Sequence, residues 1–184
     1  YARFSERGDL DWAYDAGDIG RFRVNLFQQE RGPAAVFRHV PDATLGFADL
    51  GLPAHVSRLV EYPNGLVLVT GPTGSGKSTT LAALIDHLNR TKRLHILTIE
   101  DPIEHVHANG TCRITQREIG SSARTFADAL RLSMREDPDV ILVGELRDLE
   151  TITMALQAAE TGILVLATMH TNSASRTVDR MVNV

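Results

Sequence analysis

The sequence predicts an α/β domain on a mainly parallel sheet, preceded by a smaller β-rich piece, and three observations lead there. After Gly65, short apolar runs at 66-LVLVT-70, 94-LHILTI-99, 139-DVILVG-144 and 163-ILVLAT-168 alternate with helical stretches. Strands that read as continuous apolar runs are buried on both faces, as in a parallel sheet covered by helices. Before Gly65 the pattern differs: 20-GRFRVNLF-27 alternates, with Phe22, Val24 and Leu26 on one side and Arg21, Arg23 and Asn25 on the other. That period of two belongs to a half-buried strand. Finally, the glycine-rich stretch 71-GPTGSGKS-78 lies between the first apolar run and a helical one.

Each element follows in order. The segment 10-LDWAY-14, the strand 20–27, the turn signal 31-RGP-33 and the run 34-AAVFRHV-40 predict a hairpin-containing domain over residues 1–41. It is too small to hold a core alone, and Trp12 and Phe22 are expected to pack it. Pro41 to Pro53 reads as a linker, and a short amphipathic helix carrying Val56, Leu59 and Val60 completes a connection over residues 42–64. The domain over 65–184 opens with strand 66–70 and helix 77-KSTTLAALIDHLN-89, followed by strand 94–99 and an irregular acidic segment. Helix 125-TFADALRLSMRE-136 starts with Thr125 and Asp128 in capping-box-like spacing. Strand 139–144 follows, then helix 148-DLETITMALQAAE-160, which begins on an Asp cap and stops at Gly162. Strand 163–168 leads into a last helix from Ser173, and the Leu and Met positions of the helices are expected in the core.

Bulk properties narrow the function. With 184 residues the chain can build one full core and part of a second. Hydrophobic content of 43% and charge of 23% are those of a soluble globular protein. A net charge of -4 leaves no overall electrostatic footprint for nucleic acid or anionic lipid. Cys112 is alone, which rules out an internal disulfide and a multi-cysteine zinc site and fits a reducing compartment. No apolar run reaches the roughly 20 residues that span a bilayer.

The chemistry begins at 71-GPTGSGKS-78, which fits G-x-x-x-x-G-K-S/T between a strand and a helix. Gly71, Gly74 and Gly76 let the backbone turn tightly, so that the N–H groups of the loop, Pro72 excepted, face a phosphate chain beside Thr73 and Ser75. The helix N-terminus adds its dipole. Lys77 is expected to reach the β- and γ-phosphates, Ser78 to ligate Mg²⁺, and Thr79 to lie beside them.

Ligands of an open parallel sheet sit outside the carboxyl ends of its strands. Three further segments deliver polar groups to that edge: 100-EDPIE-104, Glu145 with Arg147, and 169-MHTNS-173. One such segment alone is readily a solvated loop; three together are poorly explained by packing. The lone H-x-H of His105 and His107 reads as incidental rather than as a metal site.

These boxes resemble the secretion ATPase superfamily that powers type II secretion and type IV pili, and within it the type IV pilus retraction (twitching motility, PilT-type) ATPases. The stretch 71-GPTGSGKSTTLA-82 resembles the Walker A box and 97-LTIEDPIEHVH-107 the Asp box. An atypical Walker B is matched by 135-REDPDVILVGELRD-148, and the His box by 162-GILVLATMHTNSASRTVDR-180. The phrase 114-ITQREIG-120 and the run Arg135 to Asp139 favour the retraction branch; Gly162-Ile163-Leu164 stands where the family often has Gly-His-Leu.

The resemblance implies a RecA-like P-loop core after part of a PAS-like domain, with ATP and Mg²⁺ as ligands. It implies that Glu145 sits near the Mg²⁺ through a water, which a carboxylate longer than Asp can do because magnesium keeps several waters. Glu100, Glu104 and Glu145 are candidates to orient and deprotonate the attacking water. The family's catalytic glutamate aligns with Glu104; Glu145 as the base is the alternative. His170 is implied to sense the γ-phosphate or a neighbouring subunit, against the plainer reading of a strand-end histidine.

An arginine commonly completes such a site, often in trans. Arg147 is local, whereas the family's pattern sets hairpin arginines against nucleotide at a subunit boundary. At least one of Arg21, Arg23 and Arg38 is therefore expected to act on ATP in the same or the adjacent subunit, the alternative being plain solvated side chains.

The protein the resemblance implies is a mechanical motor subunit. It works as a cytoplasmic homo-hexamer, peripheral at the cytoplasmic face of the inner membrane. It acts against an inner-membrane pilus platform protein, with other pilus motor ATPases as further partners, no nucleic acid and no membrane insertion. Both ends are expected to be trimmed, since the family's ATPase domain continues past Val184. A pilus assembly or type II secretion ATPase is the nearest rival, and a nucleotide-gated binding module with negligible turnover is a rival of another class.

Overall fold

The structure, a computed structural model, describes Phe4 and residues 8–40, 46–171 and 173–183. The first part of the expected linker from Pro41, the boundary after it, and Asn172 of the His box lie outside the described residues. Contacts divide the chain into two units, Tyr1–Ala43 and Thr44–Val184.

In the first unit, β1 (Asp9–Asp15), β2 (Arg21–Gln29) and β3 (Gly32–Val40) form an antiparallel sheet with β2 in the middle. The hairpin turns through Glu30 and Arg31, because Gln29 is paired with Gly32. The turn thus comes one residue ahead of the Arg31-Gly32-Pro33 signal. Gly32 supplies a φ of 110° at the start of β3, and Pro33 is tolerated there because β3 is an edge strand. The register sets Arg23 opposite Arg38 and Arg21 opposite Asp15 and Val40. Among the unit's described residues, Val24 is the one buried hydrophobic side chain. Phe22 meets Phe37 and His39 edge-on at 6.3 and 5.4 Å, which is how so thin a sheet is packed.

The second unit carries a five-stranded sheet in the order β4-β8-β7-β5-β6, parallel throughout. Its strands are β4 (Gly65–Thr70), β5 (His95–Glu100), β6 (Arg113–Glu118), β7 (Val140–Val143) and β8 (Leu164–Met169). Between and after them run α1 (Lys77–Thr91), α2 (Phe126–Ser133), α3 (Leu149–Glu160) and α4 (Ala174–Val182). Alternate residues of each strand serve opposite faces. Leu97, Ile99, Ile141, Val143 and Val165 join Leu130 of α2 and Ile152 and Ala155 of α3. Ile96, Val140, Leu142, Leu164 and Leu166 join Leu81, Leu84, Ile85 and Leu88 of α1 on the other side. Each of the Val, Leu and Ile side chains contributes about 1.5–3 kcal/mol on burial. No described helix is long and apolar enough to cross a membrane.

The caps are where the spacing put them. The Thr125 hydroxyl accepts from the Asp128 amide at 3.1 Å, and Asp148 accepts from the Thr151 amide at 2.8 Å. Gly162, at φ 107°, stops α3.

Four expectations need correction. The segment read as irregular contains β6; its sequence RITQRE is too polar for the apolar-run rule because β6 is an edge strand. The short helix is a 3-10 turn, Ala54–Val60, in which Val60 is buried and Leu59 is exposed. Helix α2 ends at Ser133 rather than 136, and Asp137 at φ 54° turns the chain into β7. Not every helical leucine is core: Leu132, Leu149 and Leu156 are exposed, on faces turned from the sheet.

Candidate active site

The loop after β4 folds as its glycines allow. Gly74 and Gly76 take φ of 79° and 87°, and Gly76 in the left-handed region hands the chain to α1. Lys77, the first residue of α1, is buried to 9% exposure. Its ammonium donates to the carbonyls of Gly71 at 3.1 Å and Pro72 at 3.0 Å, folding the charge back over the loop. Thr73, Gly74, Ser75 and Ser78 are exposed around it, and Thr79 is half-buried.

Two other strand ends reach the same place. The Lys77 ammonium lies 3.5 Å from His170 Nδ1, just beyond β8, and His170 Nε2 lies 3.4 Å from Glu145 Oε1, just beyond β7. An ammonium only donates, so Nδ1 accepts from it, and Nε2 faces the carboxylate at ion-pair distance. Arg147 Nε donates to the same Glu145 oxygen at 2.6 Å, and that carboxylate holds the guanidinium above its ordinary pKa. Residues far apart in sequence thus form one polar chain, Lys77–His170–Glu145–Arg147.

Glu145 owes its position to Gly144. The Gly144 amide donates to the Ile99 carbonyl at 2.8 Å, its carbonyl accepts from the Thr168 hydroxyl at 2.6 Å, and the Leu146 amide donates to the Thr168 carbonyl at 3.0 Å. A Cβ on residue 144 would come within 3.3 Å of the Ile99 carbonyl oxygen and 3.4 Å of Glu100 Cα. Backbone atoms on β5 cannot move aside, so the residue before Glu145 is glycine. Asp139, the acid ahead of the apolar run, lies at the far end of the sheet. There its carboxylate accepts from the His95 amide at 2.7 Å and ties β7 to β5.

Glu100, at the end of β5, lines a small open cleft with Ser78, His105, His107, Gly144 and Thr168. Its Oε1 accepts from the Thr98 hydroxyl at 2.7 Å and the Gln116 amide at 3.2 Å. Burial pushes its carboxyl pKa up, and those hydrogen bonds, with one from the Glu104 backbone, oppose the rise. Burial also lowers His105, and it takes His107 from 6.5 down to about 4. Both imidazoles are therefore neutral near pH 7. Glu104 is exposed on the loop beyond Glu100.

The strand ends thus gather Lys77, Ser78, Glu100, Glu145, Arg147 and His170, with Glu104 beside them. Arg21, Arg23 and Arg38 belong to the other unit, where Arg21 and Arg23 are half-buried and Arg38 is exposed. The sequence reading missed Thr98, Gln116 and Thr168. Gln116 carried no usable signal, since 113-RITQRE-118 shows neither an apolar run nor an apolar–polar alternation.

Comparison with known proteins supplies the context. A family model described as "Type II/IV secretion system protein" matches residues 11–184. The chain is 56% identical to the type IV pilus retraction ATPase PilT of Pseudomonas aeruginosa over 98% of its own length and 53% of that protein's. It is 54% identical to a twitching motility protein of Neisseria gonorrhoeae over 98% of its length and 48% of that protein's. Among solved structures, that of the pilus retraction motor PilT with bound ADP superposes with a TM-score of 0.97 at 51% identity, covering 100% of this chain and 53% of that one. The chain therefore spans about half the length of the curated relatives it matches. This chain belongs to the type II/IV secretion system protein family.

Proposed function

We propose that this chain is the nucleotide-handling part of a motor subunit that hydrolyses ATP to drive type IV pilus retraction. The observation that carries the reading is the link from Lys77 through His170 to Glu145, at 3.5 and 3.4 Å. It joins a phosphate-binding ammonium to a carboxylate through a histidine at the carboxyl edge of a parallel sheet, where ligands of such sheets bind. The retraction and twitching functions borne by relatives more than half identical over nearly the whole chain support the direction of work.

The donor set suits magnesium. The Ser78 hydroxyl and the Glu100 and Glu145 carboxylates are hard oxygen donors of the kind magnesium takes. Ser78 would ligate the ion directly and Glu145 through a water, and the bound ion would offset charge on the phosphates. Glu104 orients and deprotonates the attacking water, with Glu145 the alternative base. Lys77 exchanges its two loop carbonyls for phosphate oxygens, and His170, freed from Lys77, reports that change to Glu145. We further propose a homo-hexameric ring at the cytoplasmic face of the inner membrane. There it meets a platform protein, and one of Arg21, Arg23 and Arg38 completes the nucleotide site.

Phosphate release by the full-length protein tests the assignment. Lys77→Ala should lose both turnover and much of its nucleotide affinity. Glu104→Gln should keep Mg-ATP affinity while turnover falls by about two orders of magnitude or more. Wild-type turnover in Lys77→Ala would remove the reading. That same kinetic split in Glu145→Gln, with Glu104→Gln active, would exchange the two glutamates' roles.

A further inference from the structure

Between β5 and β6 the chain runs from residue 101 to 112 without regular structure, then returns alongside the strand it left. Two side chains of β6 hold it on the way. Glu118 Oε2 accepts from the Ile103 amide at 3.0 Å. Gln116 Nε2 donates to the His105 carbonyl at 2.8 Å, and Gln116 Oε1 accepts from the His107 amide at 2.8 Å. The held positions are 103, 105 and 107, every second residue. The segment is therefore pinned like a strand, with side chains 116 and 118 in place of a backbone ladder.

Pinning alternate residues sets which side chains face outward. Glu104 and Val106 are exposed, whereas His105 and His107 turn toward the cleft. A slip of one residue would exchange the two sets, turning Glu104 inward. Gln116 also donates to Glu100 Oε1 at 3.2 Å, so one side-chain amide ties the segment to the end of β5. Thr98 and Glu100 are the register partners of Gln116 and Glu118, which puts all four on one face of the sheet edge.

We propose that Gln116 is a positioning residue for hydrolysis, which sets the phase of residues 103–107 and so holds Glu104 on the open face of the segment rather than turned into the cleft with His105 and His107, with Glu118 as a second clamp. The proposal rests on the reading of Glu104 as the base. Gln116 does not touch the reacting atoms, so its loss should lower turnover without lowering affinity.

The test uses the full-length protein with Gln116→Leu, similar in size but unable to hydrogen-bond, and Gln116→Glu, which keeps the acceptor for the His107 amide. Turnover of ATP, binding of a fluorescent ATP analogue and amide hydrogen exchange are measured together. Gln116→Leu should lose about 100-fold in kcat while nucleotide affinity stays within about twofold, and Gln116→Glu should fall between it and wild type. Exchange should quicken across 103–107 and stay unchanged across 77–91. Wild-type kcat in Gln116→Leu would overturn the proposal. So would a joint loss of kcat and affinity with exchange rising across 77–91, which would mark general loosening. Wild-type turnover in Glu104→Gln would instead remove the base assignment, and the exchange comparison would then decide by itself whether Gln116 holds the segment.

Discussion

Removing the side chain of Asn89 should loosen the far end of α1 by a predictable amount. Asn89 lies in the last turn of α1, and its Nδ2 donates to the Ala108 carbonyl at 2.8 Å. Its Oδ1 accepts from the amides of Gly110 at 3.0 Å and Cys112 at 3.2 Å. A net gain of about 1 kcal/mol per hydrogen bond sets an upper value of about 3 kcal/mol. Water can replace the partners of the exposed Ala108 and Gly110 but not so readily that of buried Cys112. Asn89→Ala should therefore cost about 2 kcal/mol, and Asn89→Asp, which keeps both acceptor contacts, about 1 kcal/mol or less. Urea unfolding followed by far-ultraviolet circular dichroism measures both as shifts in midpoint at constant slope. An Asn89→Ala cost below about 0.5 kcal/mol, or an Asn89→Asp cost equal to it, would refute the reasoning from side-chain hydrogen bonds.

Two further outcomes can be measured, one from the electrostatics and one from the proposed assembly. His107 is lowered in the folded protein from 6.5 to about 4. The unfolded chain therefore binds a proton below pH 6.5 that the folded one refuses, and stability should fall as pH drops toward 4. The full shift is worth about 3 kcal/mol, reduced to about 1–2 kcal/mol by solvent at a half-buried site. His107→Asn should flatten this fall between pH 6.5 and 4.5; an unchanged slope would contradict it. His105 acts in the same direction and the raised Glu100 in the opposite one, so variant and wild type are compared at each pH. On the proposed ring, turnover of the full-length protein should rise with protein concentration, and Arg23→Ala or Arg38→Ala should assemble yet stay slow. Concentration-independent turnover unaffected by substitution of Arg21, Arg23 or Arg38 would leave a lone ATPase.

What could be read from the residues alone was whatever is specified over a few positions. The glycine turn ahead of α1, the caps at Thr125 and Asp148 and the stop at Gly162 are each decided over a few residues of chain, and each lies where its spacing indicated. The buried strands β5, β7 and β8 were legible because burial on both faces demands unbroken apolar runs. Strand β6 escaped the same rule because among the described residues it pairs with β5 alone and spends Gln116 and Glu118 on the loop beside it. The order β4-β8-β7-β5-β6 is written in no local pattern, and that order brings Lys77, Glu145 and His170 together. Candidate residues could therefore be named from the sequence, but not the histidine bridge between them.

The pairing of β4 also constrains the order of synthesis. Among the described residues β4 is paired only with β8, beginning with Gly65 opposite Leu164. A ribosome that has just released β4 must add about a hundred residues before its neighbour exists, which takes about 5–20 s at usual elongation rates. During that interval α1, β5, β6 and β7 can emerge and dock, while the strand that carries the phosphate loop has no sheet to join. Closing so long a loop is entropically costly and belongs late in folding. A nascent chain halted before residue 164 should therefore fail to retain nucleotide, although the whole of 71-GPTGSGKS-78 has already been made.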